Sequence, residues 1–321
     1  MEYPKTNKTL RFFSIGGDLK VIEKEVLPLA ANEILVKAHA ASINPVDIQL
    51  WHSGFVGRVA GDKGMGRDYS GKIVAIGGDV KGWSVGDEVF GLLFQPWLPP
   101  QSSHQRRVII RGASGGTGSW LVQLAKKVYN CHVTAICSSK NAEFVKSLDA
   151  DDVIDYTSED IISTLLSRRA EAQEYGLLVD CAGGTELLSS YVCPLKSPFW
   201  FEAKLIGSQS QLLNTKGAYV TIVGDKTNVK QLGGPITYLS SPAQVVRYIK
   251  GWIWGPRYAC VSLYTKSTYI EEVALLVERG EVKTEIQEVI QGAFDEREGW
   301  RKAIQLMEGG RVRGKVVLSI P

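Results

Sequence analysis

The sequence predicts an α/β fold centred on a doubly wound parallel sheet, and three features of residues 107–156 carry that prediction. The first is the apolar run Val108, Ile109 and Ile110, which suits a strand buried on both faces. The second is Gly112-Ala113-Ser114-Gly115-Gly116-Thr117-Gly118, with glycine at the first, fourth and seventh positions. The third is a helical pattern that sets Trp120, Leu121, Leu124, Ala125 and Val128 on one face. In that order they make a phosphate-binding turn. Glycine lets the backbone approach a pyrophosphate, and the helix N-terminus offers free N–H groups and a positive dipole end. Gly112, Ser114, Gly115, Gly116, Thr117 and Gly118 are therefore candidate cofactor contacts, although an ordinary βα turn could carry the same glycines.

The next strand, over residues 132–136, runs into Cys137-Ser138-Ser139-Lys140-Asn141. An NAD-binding unit has Asp or Glu here to hold the ribose 2′-hydroxyl. Hydroxyls and a cation stand in its place, and Ser138, Ser139 and Lys140 could bind the 2′-phosphate that a carboxylate would repel. That points to NADP(H). Ser139 could also cap the helix carrying Ala142, Phe144, Val145 and Leu148, and the two roles can coexist.

Residues 1 to about 100 read as strands and turns, with strands expected over 33–40, 71–78 and within 82–91. Beyond the glycine unit the βα alternation continues. A strand is expected over 153–156, then a helix over 159–168 with Ile161, Ile162, Leu165 and Leu166. Strands over 177–182 and 219–223 end in Gly183-Gly184 and Gly224-Asp225. Glycine at the carboxyl edge of a parallel sheet lets backbone lie against a ligand, so Gly183 and Gly224 join the candidates. A helix over 269–279 and a strand over 315–320 follow.

The chain has 321 residues, 44% of them hydrophobic, and can bury the cores of two domains. A net charge of +3, without interleaved aromatic and basic residues, argues against nucleic acid. Cysteines at 131, 137, 181, 193 and 260 form no CxxC pair and read as reduced thiols of a cytoplasmic protein. The polar start Met1-Glu2-Tyr3-Pro4-Lys5 lacks the apolar run of a signal peptide. No membrane span is expected: residues 245–254 come nearest, and Arg247 and Lys250 interrupt them. A kinase or ATPase phosphate loop does not fit, because neither Lys-Ser nor Lys-Thr follows the glycines. The short-chain reductase class fails too, for want of any Tyr-x-x-x-Lys pair.

Beyond the glycine loop, several further stretches carry a family resemblance. They are Ala41-Ser42-Ile43-Asn44-Pro45-Val46-Asp47, Gly66-Arg67-Asp68-Tyr69-Ser70-Gly71, Gly86-Asp87-Glu88-Val89, Asp152-Val153-Ile154-Asp155-Tyr156, Gly217-Ala218-Tyr219-Val220 and Gly314-Lys315-Val316-Val317. Together they resemble the zinc-independent, quinone oxidoreductase-like branch of the medium-chain dehydrogenase/reductase superfamily, in the family's order along nearly the whole chain. The resemblance implies a GroES-like β domain built from both ends, residues 1–101 with 283–321, around a Rossmann domain over 102–282. It also implies NADPH-dependent reduction of a small molecule, either a quinone or a C=C bond conjugated to a carbonyl, and often a homodimer.

Where zinc-dependent relatives place a Cys and a His ligand, this chain has Asn44 and Arg67, neither a normal zinc ligand, so no metal is expected. The resemblance makes Asn44 the candidate for orienting substrate or nicotinamide, while Asn-Pro chemistry alone would make it an Asx turn. Asp47 and Asp68 read as structural. Tyr156 is expected to line the adenosine site. Lys315 reads as a phosphate contact or as a solvated strand end. Many members of the family this chain resembles carry a Tyr at the place of Phe55, which has no proton to give, so no catalytic acid is assigned.

Residues 92–107 are several tens of residues shorter than the family's link, and Pro96, Pro99 and Pro100 oppose a helix there. Residues 194–214 look longer than usual. A second reading follows, of a nucleotide-binding or regulatory family member with an incomplete pocket.

Overall fold

The computed structural model describes residues 4–52, 64–92, 106–171, 174–188, 212–231, 237–254, 256–261, 267–295 and 297–321. Its fold is α/β: a parallel Rossmann sheet beside a GroES-like antiparallel one. An antiparallel hairpin of β1 (Thr6–Phe12) and β2 (Leu19–Glu25) opens the chain. Strand β3 (Ile34–Ser42), helix α1 (Pro45–His52), β4 (Asp68–Ile76) and β5 (Glu88–Leu92) follow. Sequence reading gave α1 only as a turn at Asn44-Pro45. Pro45 opens the helix, where its fixed φ and missing N–H cost nothing.

The Rossmann sheet is built from β6 (Arg107–Arg111), β7 (His132–Cys137), β8 (Asp152–Asp155), β9 (Tyr175–Asp180), β10 (Leu213–Thr221) and β11 (Arg257–Cys260). All its pairings are parallel, and the order is β11-β10-β9-β6-β7-β8. The strand order reverses between β6 and β9, which opens a crevice at their carboxyl ends. Val108, Ile109 and Ile110 are each at most 3% exposed, with Ile109 in the core on one face and its two neighbours in the core on the other. Burial on that scale is worth about 2 kcal/mol per side chain.

The crossovers include α2 (Gly116–Gln123), α3 (Ala142–Lys146), α4 (Ile161–Glu171), α5 (Thr237–Ser240), α6 (Pro242–Trp254) and α7 (Ser267–Glu278). Helix α2 continues into a π turn over Leu124–Val128, where the expected 3.6-residue period fails. Its most buried positions are Gly118, Ser119, Val122 and Gln123, not the apolar face read from the sequence. Small residues let the helix come close to the strands. The Gln123 side chain takes the Lys283 N–H at 3.0 Å and donates to the Lys283 carbonyl at 3.0 Å, so a polar residue is buried because it ties two segments together.

Strands β12 (Ile286–Ile290) and β13 (Lys315–Ser319), with α8 (Gly299–Glu308) between them, return the chain to its first half. The antiparallel sheet runs β12-β13-β3-β4-β5 and joins the two ends of the sequence; within it only β12 and β13 pair in parallel. Its core gathers Leu10, Phe12, Ile43, Ile48, Trp300 and Ile304. No helix among the described residues is long and apolar enough to cross a membrane.

Candidate functional site

The glycine loop leaves the end of β6 through Gly112, whose φ of +73° is a conformation that side-chain-bearing residues rarely adopt. Helix α2 begins at Gly116, and its N-cap, Gly115, offers no side-chain acceptor to the first N–H groups. A methyl on Gly118 would sit 2.1 Å from the Gly112 carbonyl oxygen, which explains the third glycine. The loop is stitched to the C-terminal strand: Gly115 bridges Gly314, and the Gly314 N–H donates to the Ser114 carbonyl at 3.0 Å. On its other side Asn141 donates to the Ser114 hydroxyl at 3.1 Å and reaches the Ser138 hydroxyl at 3.5 Å. Sequence reading passed over Asn141, because its partner lies 27 positions away.

Ser139 and Lys140 are exposed at the end of β7, with Ser138 half-buried beside them. Neither Ser138 nor Asn141 caps the turn that follows with its side chain. The Ser139 N–H instead donates to Asp155 at 2.9 Å. Asp155 also accepts from the Thr157 hydroxyl and N–H and from the Ser158 hydroxyl, and these bonds, Thr157 foremost, hold its carboxyl down at about 2. Asp155, at the end of β8, thus anchors the turn that follows β7, next to exposed Tyr156.

The third part forms where three strand ends meet. Ser42 ends β3 opposite Asp68 at the start of β4, and Ser42 also pairs with Val317, two residues beyond Lys315 in β13. Lys315 Nζ donates to Asn44 Oδ1 at 2.6 Å and to Asp68 Oδ2 at 2.5 Å. Asn44 Nδ2 donates to Asp68 Oδ1, and the Ser42 hydroxyl donates to Asp68 Oδ2 at 2.7 Å. An ammonium has three N–H donors, and these bonds use two of them. Lys315 is therefore not a solvated strand end. The Asn44 side chain does not close an Asx turn either. Asp47 does that work, accepting the Asn44 N–H at 2.8 Å in the manner of a capping box and leaving the amide for the cluster. Asp47 also accepts the Gly66 N–H at 3.2 Å and lies 3.5 Å from Arg67 Nε. Burial to 1% exposure pushes its carboxyl up to about 6 against those bonds.

Gly183 and Gly224 sit at strand ends with φ of +78° and +81°, as the glycine pattern anticipates. Their free side is filled by the chain itself. A methyl on Gly183 would meet the Lys226 carbonyl at 1.9 Å, and one on Gly224 would meet the Thr237 hydroxyl at 2.8 Å. Buried Asp180 orders this edge by accepting the Ala182 and Gly183 N–H groups at 2.9 Å and the Tyr219 hydroxyl at 2.7 Å. Burial and that anion push the Tyr219 phenol far up, so it stays protonated. Arg111 lies 3.7 Å from Asp180 and 3.1 Å from Glu186. Asp180 and Arg111 carry no local motif, and Tyr219 stands in the sequence only as part of the Gly217-Ala218-Tyr219-Val220 stretch, with no role assigned to it.

The donor set does not fit zinc. At the two ligand positions stand an amide bonded to Lys315 and Asp68 and a guanidinium beside Asp47, and the cationic Lys315 and Arg67 would repel a second cation. Among the described residues no three His, Cys, Asp or Glu side chains gather as a metal cluster. Phe55 and Cys193 lie outside the described residues.

Residues 30–132 match the alcohol dehydrogenase GroES-like domain, and residues 148–318, more than half of the chain, match the zinc-binding dehydrogenase family. The chain therefore belongs to the medium-chain dehydrogenase/reductase superfamily, among its quinone oxidoreductase-like proteins. Among its relatives, the mitochondrial NAD(P)H oxidoreductase RTN4IP1 of Danio rerio is 26% identical across 94% of this chain and 88% of its own length. The trans-enoyl reductase pgmF of Aspergillus terreus is 26% identical across 99% of this chain and 97% of its own. The quinone oxidoreductase of Coxiella burnetii superposes with a TM-score of 0.70, at 22% identity, over 99% of this chain and 100% of that one. The alignment with the first relative extends over 367 residues, more than this chain contains, so that relative has several tens of residues without a counterpart here.

Proposed function

We propose that this protein is an oxidoreductase that uses NADPH, without zinc, to reduce a quinone or a C=C bond conjugated to a carbonyl. The observation that carries the reading is the seam at Gly115 and Gly314, which draws the glycine loop against the Lys315–Asn44–Asp68 cluster. An uncapped helix start and a loop that admits no side chain at Gly118 fit a pyrophosphate. The N–H groups of Gly116, Thr117 and Gly118 would hold it, with Lys315 adding its remaining donor. Ser138, Ser139 and Lys140 would bind the 2′-phosphate and Tyr156 would flank the adenosine, while Gly183 and Gly224 shape the strand ends behind them. The bound cofactor supplies the hydride. The chain's own contribution is orientation. Asn44, fixed by Asp68 and Lys315, positions substrate or ring.

The four described cysteines, Cys131, Cys137, Cys181 and Cys260, are free, which supports a reducing compartment such as the cytoplasm. A second reading, nucleotide binding without turnover, is favoured by the short link over residues 92–107 and by the extra residues of the relatives. One cuvette separates the two. The protein is titrated with NADPH and with NADH by nicotinamide fluorescence, and a quinone is then added. NADPH binding followed by quinone-dependent oxidation supports the reductase. Binding without oxidation of quinones or enones supports the second reading, and no binding of either nucleotide refutes both.

A further inference from the structure

Helix α6 is mounted with its polar face inward. Gln244 is fully buried, and its Oε1 accepts from the Thr237 hydroxyl at 3.0 Å. Arg247 makes a two-pronged ion pair with Asp225 at 2.7 and 3.0 Å, and Ser241 joins the same carboxylate at 3.3 Å. Buried Gly251 lies on that side too. With these contacts fixed, the apolar residues have to point outward. Val245, Val246, Ile249, Trp252 and Ile253 fall within an arc of about 120° at helical spacing. Their exposures are 38%, 49%, 50%, 78% and 54%. The bare apolar surface is roughly 500 Å², near the upper end of what a soluble monomer leaves uncovered.

The stretch of chain that carries this face is basic. Residues 226–270 contain six Lys and Arg and no Asp or Glu, so the rest of the chain carries a net charge of −3 (+3 less 6). Arg247 is paired with Asp225 and Lys230 with Glu308. Lys250, on the rim of the apolar arc, and Arg257, three residues past the helix, are exposed. An apolar stripe with a tryptophan, a basic rim and a helix too short to span is the make-up of a helix that lies in a membrane interface.

We propose that α6 docks this protein peripherally on an anionic phospholipid surface, with Ile249, Trp252 and Ile253 in the headgroup–acyl boundary and Lys250 and Arg257 among the headgroups. A second copy of the chain fits this face poorly. A two-fold contact would bring the exposed, like-charged Lys250 and Arg257 of the two copies together, and the apolar patch falls short of the roughly 800 Å² per partner of a standard interface. A homodimer would have to use another face. The proposal does not depend on the reductase reading, since no residue of the glycine loop or of the Asn44 cluster takes part.

The test is co-sedimentation of the full chain with phosphatidylcholine vesicles that contain or lack about 30% phosphatidylserine. The protein is expected to pellet with the anionic vesicles, and high salt should release part of it. Ile249→Glu with Trp252→Glu should lower partitioning at least about tenfold, and Lys250→Glu with Arg257→Glu should remove the preference for anionic lipid. Each variant should melt like the parent, since none of these side chains is buried. Failure of the parent to bind either vesicle overturns the proposal. So does vesicle binding that the Ile249 and Trp252 substitutions leave unchanged. Light scattering that shows a dimer dissolved by those substitutions, with no lipid binding, would assign the face to self-association instead.

Discussion

Asp47 holds both arms of the Asn44–Asp68–Lys315 cluster, and its burial gives a stability signature that can be worked out. Its folded-state pKa is raised from 3.8 to about 6, chiefly by burial. A proton is therefore held more tightly in the folded state than in the unfolded one, and rising pH removes stability across that interval. The stability tied to the neutral carboxyl is fully present below 3.8 and is lost as pH rises through about 6. A shift of that size corresponds to about 3 kcal/mol. Asp47→Asn removes the titration and keeps the shape. It loses one acceptor, because the carboxylate takes the Asn44 and Gly66 N–H groups on separate oxygens. That loss costs about 1–3 kcal/mol at any pH. Urea unfolding of parent and variant should be followed from the acid side of this window to neutral pH. Differencing the two proteins cancels the titrating groups that do not interact with Asp47. The difference should move by about 3 kcal/mol in favour of the variant as pH rises. Parallel curves would show that Asp47 titrates normally and would refute the reasoning.

Three further outcomes test the site itself. Gly118→Ala forces a methyl to within 2.1 Å of the Gly112 carbonyl, so a loss of about 1–3 kcal/mol in unfolding stability and of the NADPH fluorescence signal is expected. Lys140→Glu, at an exposed ammonium with no ion-pair partner among the described residues, should weaken NADPH about tenfold and leave NADH nearly unchanged; equal weakening of both would remove Lys140 from 2′-phosphate recognition. Lys315→Met keeps the stem but removes the bonds to Asn44 and Asp68. Quinone-dependent oxidation should fall at least about tenfold while the fold survives, as read by steady-state rates beside a melting curve.

The Rossmann unit is legible in the residues alone. Its signals are local: three apolar residues at Val108, glycines at fixed spacing and a helix behind them, all within one stretch. The strands at the two ends of the chain were legible for the same reason, since β3, β4 and β13 carry their own apolar runs. The role of polar residues was not legible. Whether Asn44 closes a turn or faces a ligand depends on Asp47, three residues away, and on Lys315, 271 residues away. The carboxylate beside Ser139 comes from the next strand, and the buried side of α2 is set by Gln123 meeting Lys283 across 160 positions. Helix α6 shows the limit most plainly. From the sequence, residues 245–254 read only as an apolar run that Arg247 and Lys250 keep from spanning a membrane. The tertiary contacts of Gln244 with Thr237 and of Arg247 with Asp225 turn the apolar arc outward. Short-range periodicity fixes which segments become strands and helices. Which face is buried, and which polar group is left to act, is decided by partners that only the folded chain brings within hydrogen-bonding distance.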